Sequence, residues 1–147
     1  MKITVLQRSA ITRYAGDFSS LSAFRLHPSP VVADREENEQ SGGGEMQRKG
    51  DSISFFYVEQ ESHITVRVTV AKDEMTVTRG GAVLSFRTGT ATTFSYRAAY
   101  GELPMEVYTE QISLREREGA MLLTLVYYAV LGDMAQKNEM RFKITKA

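Results

Sequence analysis

The chain has 147 residues, with 18 basic and 18 acidic side chains, two histidines and no cysteine. That length suits one domain able to bury a real core, and the lack of cysteine excludes disulfide frameworks, thiolate nucleophiles and cysteine-based zinc sites. Zero net charge argues against non-specific nucleic-acid binding, which depends on an excess of Lys and Arg.

The first residues, "MKITVLQRSAITRYAG", lack the long apolar run and the small-residue cleavage site of a secretory signal. No stretch approaches the roughly 20 apolar residues of a membrane helix. The densest run, Ala120 to Leu131, has 12 residues. The expectation is a cytoplasmic protein that binds neither membrane nor nucleic acid. Next, Ile11, Tyr14, Phe18 and Leu21 recur at spacings of three and four, which predicts a short helix starting at Phe18 with Asp17 as its cap. Residues 27–43 carry prolines, charges and glycines and few apolar side chains. They predict a flexible surface loop within a single domain spanning 1–147.

From Gly44 onward, short β-branched and aromatic runs alternate with turn residues, the pattern of successive strands. In "HITVRVTV", Ile64, Val66, Val68 and Val70 share one face while Thr65, Arg67 and Thr69 share the other, as in a half-buried antiparallel strand. Gly50-Asp51, Lys72-Asp73, Gly80-Gly81, Arg117 to Gly119 and Gly132-Asp133 sit between such runs and suit tight hairpins. A meander of seven or eight strands tends to close into a barrel, because closure removes exposed edges. "AMLLTLVYYAVL" is apolar on both faces, so its outer face needs a cover. The candidates are the segment Ile11 to Leu26 or a second copy of the chain.

Chemical motifs are sparse. His27 and His63 belong to no ligand-spaced cluster. "SGGGE" lacks the following Gly-Lys-Ser/Thr of a phosphate loop, and there is no Gly-x-Ser-x-Gly elbow. Glu102, Glu106 and Glu110 share a strand face with Tyr108. Outside, they are solvated carboxylates; inside, Glu106 would need Arg79, Arg87 or Arg97 as partner. The aromatic side chains could stack bases, but with no basic stripe among them they read as core filling.

"AYGELPMEVYTEQISL" and "GAMLLTLVYYAVLGDMAQKNEMRFKI" resemble the YwiB-like family of small bacterial proteins. The likeness rests on Tyr100, Gly101, Leu103, Met105, Val107, Thr109 and Asn138, and on the early hairpin "GEMQRKGDSISFFYVEQ"; it covers about residues 44–145. It implies a calycin-type, lipocalin-like β-barrel and no established activity; together with the strand rhythm and the helical spacing at Phe18, the expectation is an all-β barrel of about 8–10 antiparallel strands with a short N-terminal helix. Residues 9–43 are a departure from the family pattern, which passes quickly from the first strand to the early hairpin. Calycins commonly hold small apolar molecules, a role that carries over by fold analogy alone.

Alternation proposes an inward set that runs from Phe55 and Tyr57 through Val66, Val68, Phe94 and Tyr96 to Leu125, Phe142 and Ile144. A barrel of eight strands is filled by side chains or holds one small ligand. Tyrosine hydroxyls in an apolar interior are the polar tips of a small-molecule site, and methionines are adaptable linings. The ligand-binding expectation falls on Tyr57, Tyr96, Met105, Val107, Tyr127 and Met140, with no catalytic residue, metal or cofactor. The alternative is a filled barrel that forms a homodimer through its outer face at Tyr128 and Val130. An enzyme, which would need Glu106 inside, ranks last.

Overall fold

A computed structural model describes residues 1–18, 20–98 and 101–147. In chain order the elements are β1 (Lys2–Ala15), α1 (Leu21–Arg25), β2 (Val31–Lys49), β3 (Ser52–Glu59), β4 (Thr65–Ala71) and β5 (Glu74–Arg79). There follow β6 (Ala82–Arg87), β7 (Ala91–Ala98), β8 (Gly101–Arg117), β9 (Ala120–Leu131) and β10 (Met134–Lys146). The ten strands form one sheet in the order β6-β5-β4-β3-β2-β1-β10-β9-β8-β7. Every named pair is antiparallel. The sheet curls until the β6–β7 connection meets β8. There the Gly89 amide donates to the Thr109 carbonyl at 2.9 Å and the Thr109 amide to the Thr90 carbonyl at 3.4 Å. The result is the nearly closed all-β barrel that the strand rhythm predicts.

Alternation fills the inside. Val5, Tyr57, Val68, Met75, Leu123, Leu125, Val107 and Phe142 are buried in one apolar cluster. Phe142 packs edge-on against both Phe55 (5.9 Å between ring centroids) and Tyr57 (6.5 Å). Such T-shaped contacts are the favoured aromatic geometry.

The N-terminal third differs from expectation in two respects. Residues 31–43 are not a loop; they are the first part of β2, paired with β1 from Ala15↔Val31 onward. The polar composition has a structural reason. β3 pairs with residues 42–49 and Gln60 with Ser41, so residues 31–40 form an edge without a strand partner, and natural edge strands are protected from aggregation by charge. Those charges also match across the ladder, Arg8 with Glu39 at 3.0 Å and Arg13 with Glu36 at 2.8 Å. Second, the helix begins at Leu21, not Phe18, and Ser20 rather than Asp17 caps it, its hydroxyl accepting from the Ala23 amide at 3.1 Å. Ile11 and Tyr14 belong to β1, which runs on to Ala15 and stops at Gly16, whose φ of 123° suits glycine.

The helix covers the C-terminal end of β9. Phe18, Leu21 and Phe24 pack on Val130, Ala135, Tyr14, Tyr108 and Tyr128. Of the two candidates, the Ile11–Leu26 segment therefore covers the C-terminal part of this face, around Tyr128 and Val130. Val130 is buried beneath it, so Tyr128 and Val130 are not the free outer face that the homodimer expectation assumed.

Two glycines let β2 lie close to β3. A Cβ on Gly42 would collide with the Val58 carbonyl oxygen, and one on Gly44 with that of Phe56. Gly43, on the opposite face, would meet only the Ile3 carbonyl oxygen at 3.9 Å. Gly44→Ala is expected to destabilise the protein by about 3 kcal/mol or more, because backbone rather than side chain must yield. Gly43→Ala should change stability by less than about 1 kcal/mol. Chemical denaturation of both variants checks this, and equal effects would contradict the tight β2–β3 approach.

Candidate functional site

Residues directly opposite in an antiparallel ladder share a face, so the pairings lay out the inner wall row by row. Met105 lies opposite Phe94 and Leu131. The next row is Thr92, Val107, Ala129 and Gln136. The third is Thr109, Tyr127, Asn138 and Ile11. The fourth is Ile112, Leu125, Met140 and Ser9. The expected residues Met105, Val107, Tyr127 and Met140 thus fall on four successive rows of one wall, built by β7 to β10.

The two middle rows are unusually polar for a barrel interior. Thr109 is 1% exposed and Asn138 4%. The Thr92 hydroxyl, the Thr109 hydroxyl and the Asn138 side-chain amide nitrogen are buried without a hydrogen-bond partner. The Asn138 carbonyl oxygen accepts from Gln136 Nε2 at 3.3 Å, which leaves its NH₂ group free to face the interior. Tyr127 lies between Thr109 and Asn138, and burial pushes its hydroxyl up to about 12, so it stays a neutral phenol. Its ring packs on Phe86 at 4.8 Å between centroids. Buried polar atoms without partners are rare in native proteins and call for an explanation.

Tyr57 lies elsewhere. It is 1% exposed on β3, its ring 6.4 Å from Phe55 and 6.5 Å from Phe142, so it belongs to the packed side of the core. Burial and the nearby Glu59 raise its pKa. For Tyr96, β7 pairs its backbone with Leu103; its side chain lies outside the described residues.

The sequence reading missed Glu59. Its side chain is 3% exposed, and it faces inward two residues after Tyr57. Arg79 holds it with two hydrogen bonds, Nη2 to Oε1 at 2.9 Å and Nε to Oε2 at 3.2 Å, and the Ser62 hydroxyl donates to Oε1 at 2.5 Å. Burial pushes the Glu59 pKa up, but Arg79 and then Ser62 outweigh it, and the carboxyl titrates below the usual glutamate range. The alternation Phe55, Tyr57, Glu59 is the signal that could have found it. Glu106, the acid first considered, is on the outside and accepts from the Leu21 amide at 3.0 Å. Glu106 therefore needs no buried arginine, and Arg79, one of the partners considered for an inward Glu106, holds Glu59. Among the described residues no group of three His, Asp or Glu side chains is placed to hold a metal, and no helix is long and apolar enough to cross a membrane.

One end of the barrel opens as a cleft of about 540 Å³, lined by the core side chains Ile3, Met46, Met121 and Ile144 and rimmed by the Arg48–Glu116 pair.

Fold and wall together define a calycin-like barrel with a part-polar interior. The chain belongs to the DUF1934 family, a domain of unknown function, whose model matches residues 31–143. It is similar to the crystal structure of the ywiB protein from Bacillus subtilis, with 20% identity and a TM-score of 0.63. That match covers 99% of this chain and 92% of the other, so the N-terminal stretch that looked like a departure is included. Likeness at this identity shows the fold alone. No curated protein matches.

Glu59→Gln should destabilise the protein at neutral pH by about 1–3 kcal/mol, less than for a fully buried pair because Arg79 is half exposed. A carboxyl with a lowered folded pKa stabilises above its unfolded pKa and loses that contribution as pH falls through the folded value. The wild-type advantage should therefore be full at neutral pH and shrink in acid. A pH series of urea denaturations measures it, and a constant difference down to acid pH would count against the ion pair.

Proposed function

We propose that this barrel binds a small apolar or amphipathic molecule against the β7–β10 wall and is not an enzyme. The observation that carries this reading is that the Thr92 and Thr109 hydroxyls and the Asn138 NH₂, on two adjacent rows of one wall that also carries Tyr127, are buried without partners. Each unpaired buried polar group costs about 1–3 kcal/mol. A ligand with a hydrogen-bonding head group would remove that cost, while Met105, Val107 and Met140 give its body an adaptable apolar lining. The two polar rows on β7–β10 carry amide and hydroxyl groups rather than charges, which suits an uncharged head. The inward carboxylate, Glu59, is committed to Arg79 and Ser62, which favours a structural over a catalytic role for it.

A second reading, a homodimer, has its own support. Among the described residues no strand pairs with the outer edge of β2 over residues 31–40, and Leu26, Val31 and Val32 beside it are 82%, 66% and 55% exposed. Strand edges are templates for pairing with another chain, although the charges along this one weigh against it.

Thr109→Val and Thr92→Val separate ligand binding from structure. Each replaces an unpartnered hydroxyl by a methyl group of like size, so stability without ligand should stay within about 1 kcal/mol of wild type or rise. Binding of the neutral amphipathic dye N-phenyl-1-naphthylamine, read by its fluorescence, should weaken in both. A destabilisation well beyond that range would mean that the hydroxyls are already satisfied and the proposed site does not exist.

A further inference from the structure

A second site, unrelated to the barrel interior, is built on the outer face where α1 crosses β8 and β9. Tyr108 and Tyr128 are direct cross-strand neighbours there. Phe24 stands against them from the helix, 5.7 Å from the Tyr128 ring at 68°, and Tyr14 closes the group, 5.0 Å from Phe24. A cleft of about 390 Å³ runs between these rings and is completed by Arg25, His27, Pro30 and Glu110. Glu110 is exposed and lines the cleft beside Tyr128. Tyr128 is held neutral by burial and by that carboxylate, its pKa pushed up to about 12.

Aromatic faces carry negative potential and attract cations, and several rings around one space beside a carboxylate form a receptor for an organic cation. The chain already uses it that way. The Arg25 guanidinium carbon lies 3.4 Å from the centre of the Tyr108 ring, and Lys137 Nζ lies 5.7 Å from that of Tyr128. Arg25 makes no ion pair among those described. It is an exposed side chain in the last turn of a five-residue helix, so it can swing away at small cost.

We infer that the Tyr14–Phe24–Tyr108–Tyr128 cleft, with Glu110 at its edge, binds the guanidinium or ammonium group of an organic cation, and that Arg25 is its intramolecular occupant. A ligand must displace Arg25, so apparent affinity is reduced by the fraction of time the cleft is filled.

The test is an NMR titration of the intact protein, following the aromatic resonances of Tyr108 and Tyr128. The probes are N-acetyl-arginine amide, tetramethylammonium and, as an uncharged match in shape, N-acetyl-citrulline amide. The arginine probe is expected to shift both rings, and Arg25→Ala to tighten it by roughly threefold or more. Tyr108→Leu should weaken it about tenfold. Since that change could disturb α1, Glu110→Gln keeps the rings and removes the charge, and should weaken binding roughly threefold. Binding of the arginine probe but not tetramethylammonium would assign the cleft to a basic side chain of a partner protein. Binding of both would extend it to free amines. Citrulline binding as tightly as arginine, or no shift by either cation in a folded Arg25→Ala variant, would overturn the inference.

Discussion

Thr109 is the residue at which the barrel shuts. Its amide and carbonyl both bond to the strap between β6 and β7, so its backbone ties that strap to β8, while the nine neighbouring strand pairs of the sheet are held by antiparallel ladders. The β8–β9 register slips immediately afterwards, between Thr109 and Gln111. A bulge re-aims side chains and is common beside functional sites. With its backbone committed to the seam, the Thr109 hydroxyl is left inside, beside Tyr127, without a partner. The feature that closes the fold and the feature that suggests a ligand are thus one residue wide.

Around that seam the interior divides by chemistry. On the β3 side, Phe55 and Tyr57 meet Phe142 ring against ring, and volume is filled in the manner of a packed core. On the β7–β10 side, the rows pass from methionine through threonine, tyrosine and asparagine to methionine again. The small Ala129, fully buried between Val107 and Gln136, adds no bulk there. The outer face has its own division. α1 seals Val130, Ala135 and the rings around them, and Glu106 ties the helix start to β8. Toward the other end of β9, Leu122 is 37% exposed and shares an open cleft of about 670 Å³ with Arg115, Arg141 and Lys143.

From Gly44 onward the sequence was legible because period-two alternation, hairpin turns and β-branched content all agreed. Lys72, which the Lys72-Asp73 turn assignment singled out, takes a positive φ of 51°. The wall residues Met105, Val107, Tyr127 and Met140 were legible for the same reason, since parity alone sets the face of a strand residue. Tyr57 was read correctly as inward but not as part of a different wall, because parity says nothing about which strands oppose each other across a barrel. The stretch before Gly44 misled through composition. A charged, unpaired edge strand and a solvated loop use the same residues, and only the long-range pairing of Arg8 and Arg13 with Glu39, Asp34 and Glu36 distinguishes them. Glu59 was hidden by a similar blindness: a charge at an inward position looks like the end of a strand until its partner, 20 residues later, is placed beside it.

The account stands or falls on whether the β7–β10 wall holds a guest. Native mass spectrometry of freshly purified protein, compared with its denatured mass, asks this directly. An excess of a few hundred daltons that is lost on denaturation is the predicted result, and the released molecule should have an apolar body and an uncharged hydrogen-bonding group. A bare mass, above all one at twice the chain weight, would contradict the account and leave the polar wall as an internal feature of a self-associating barrel.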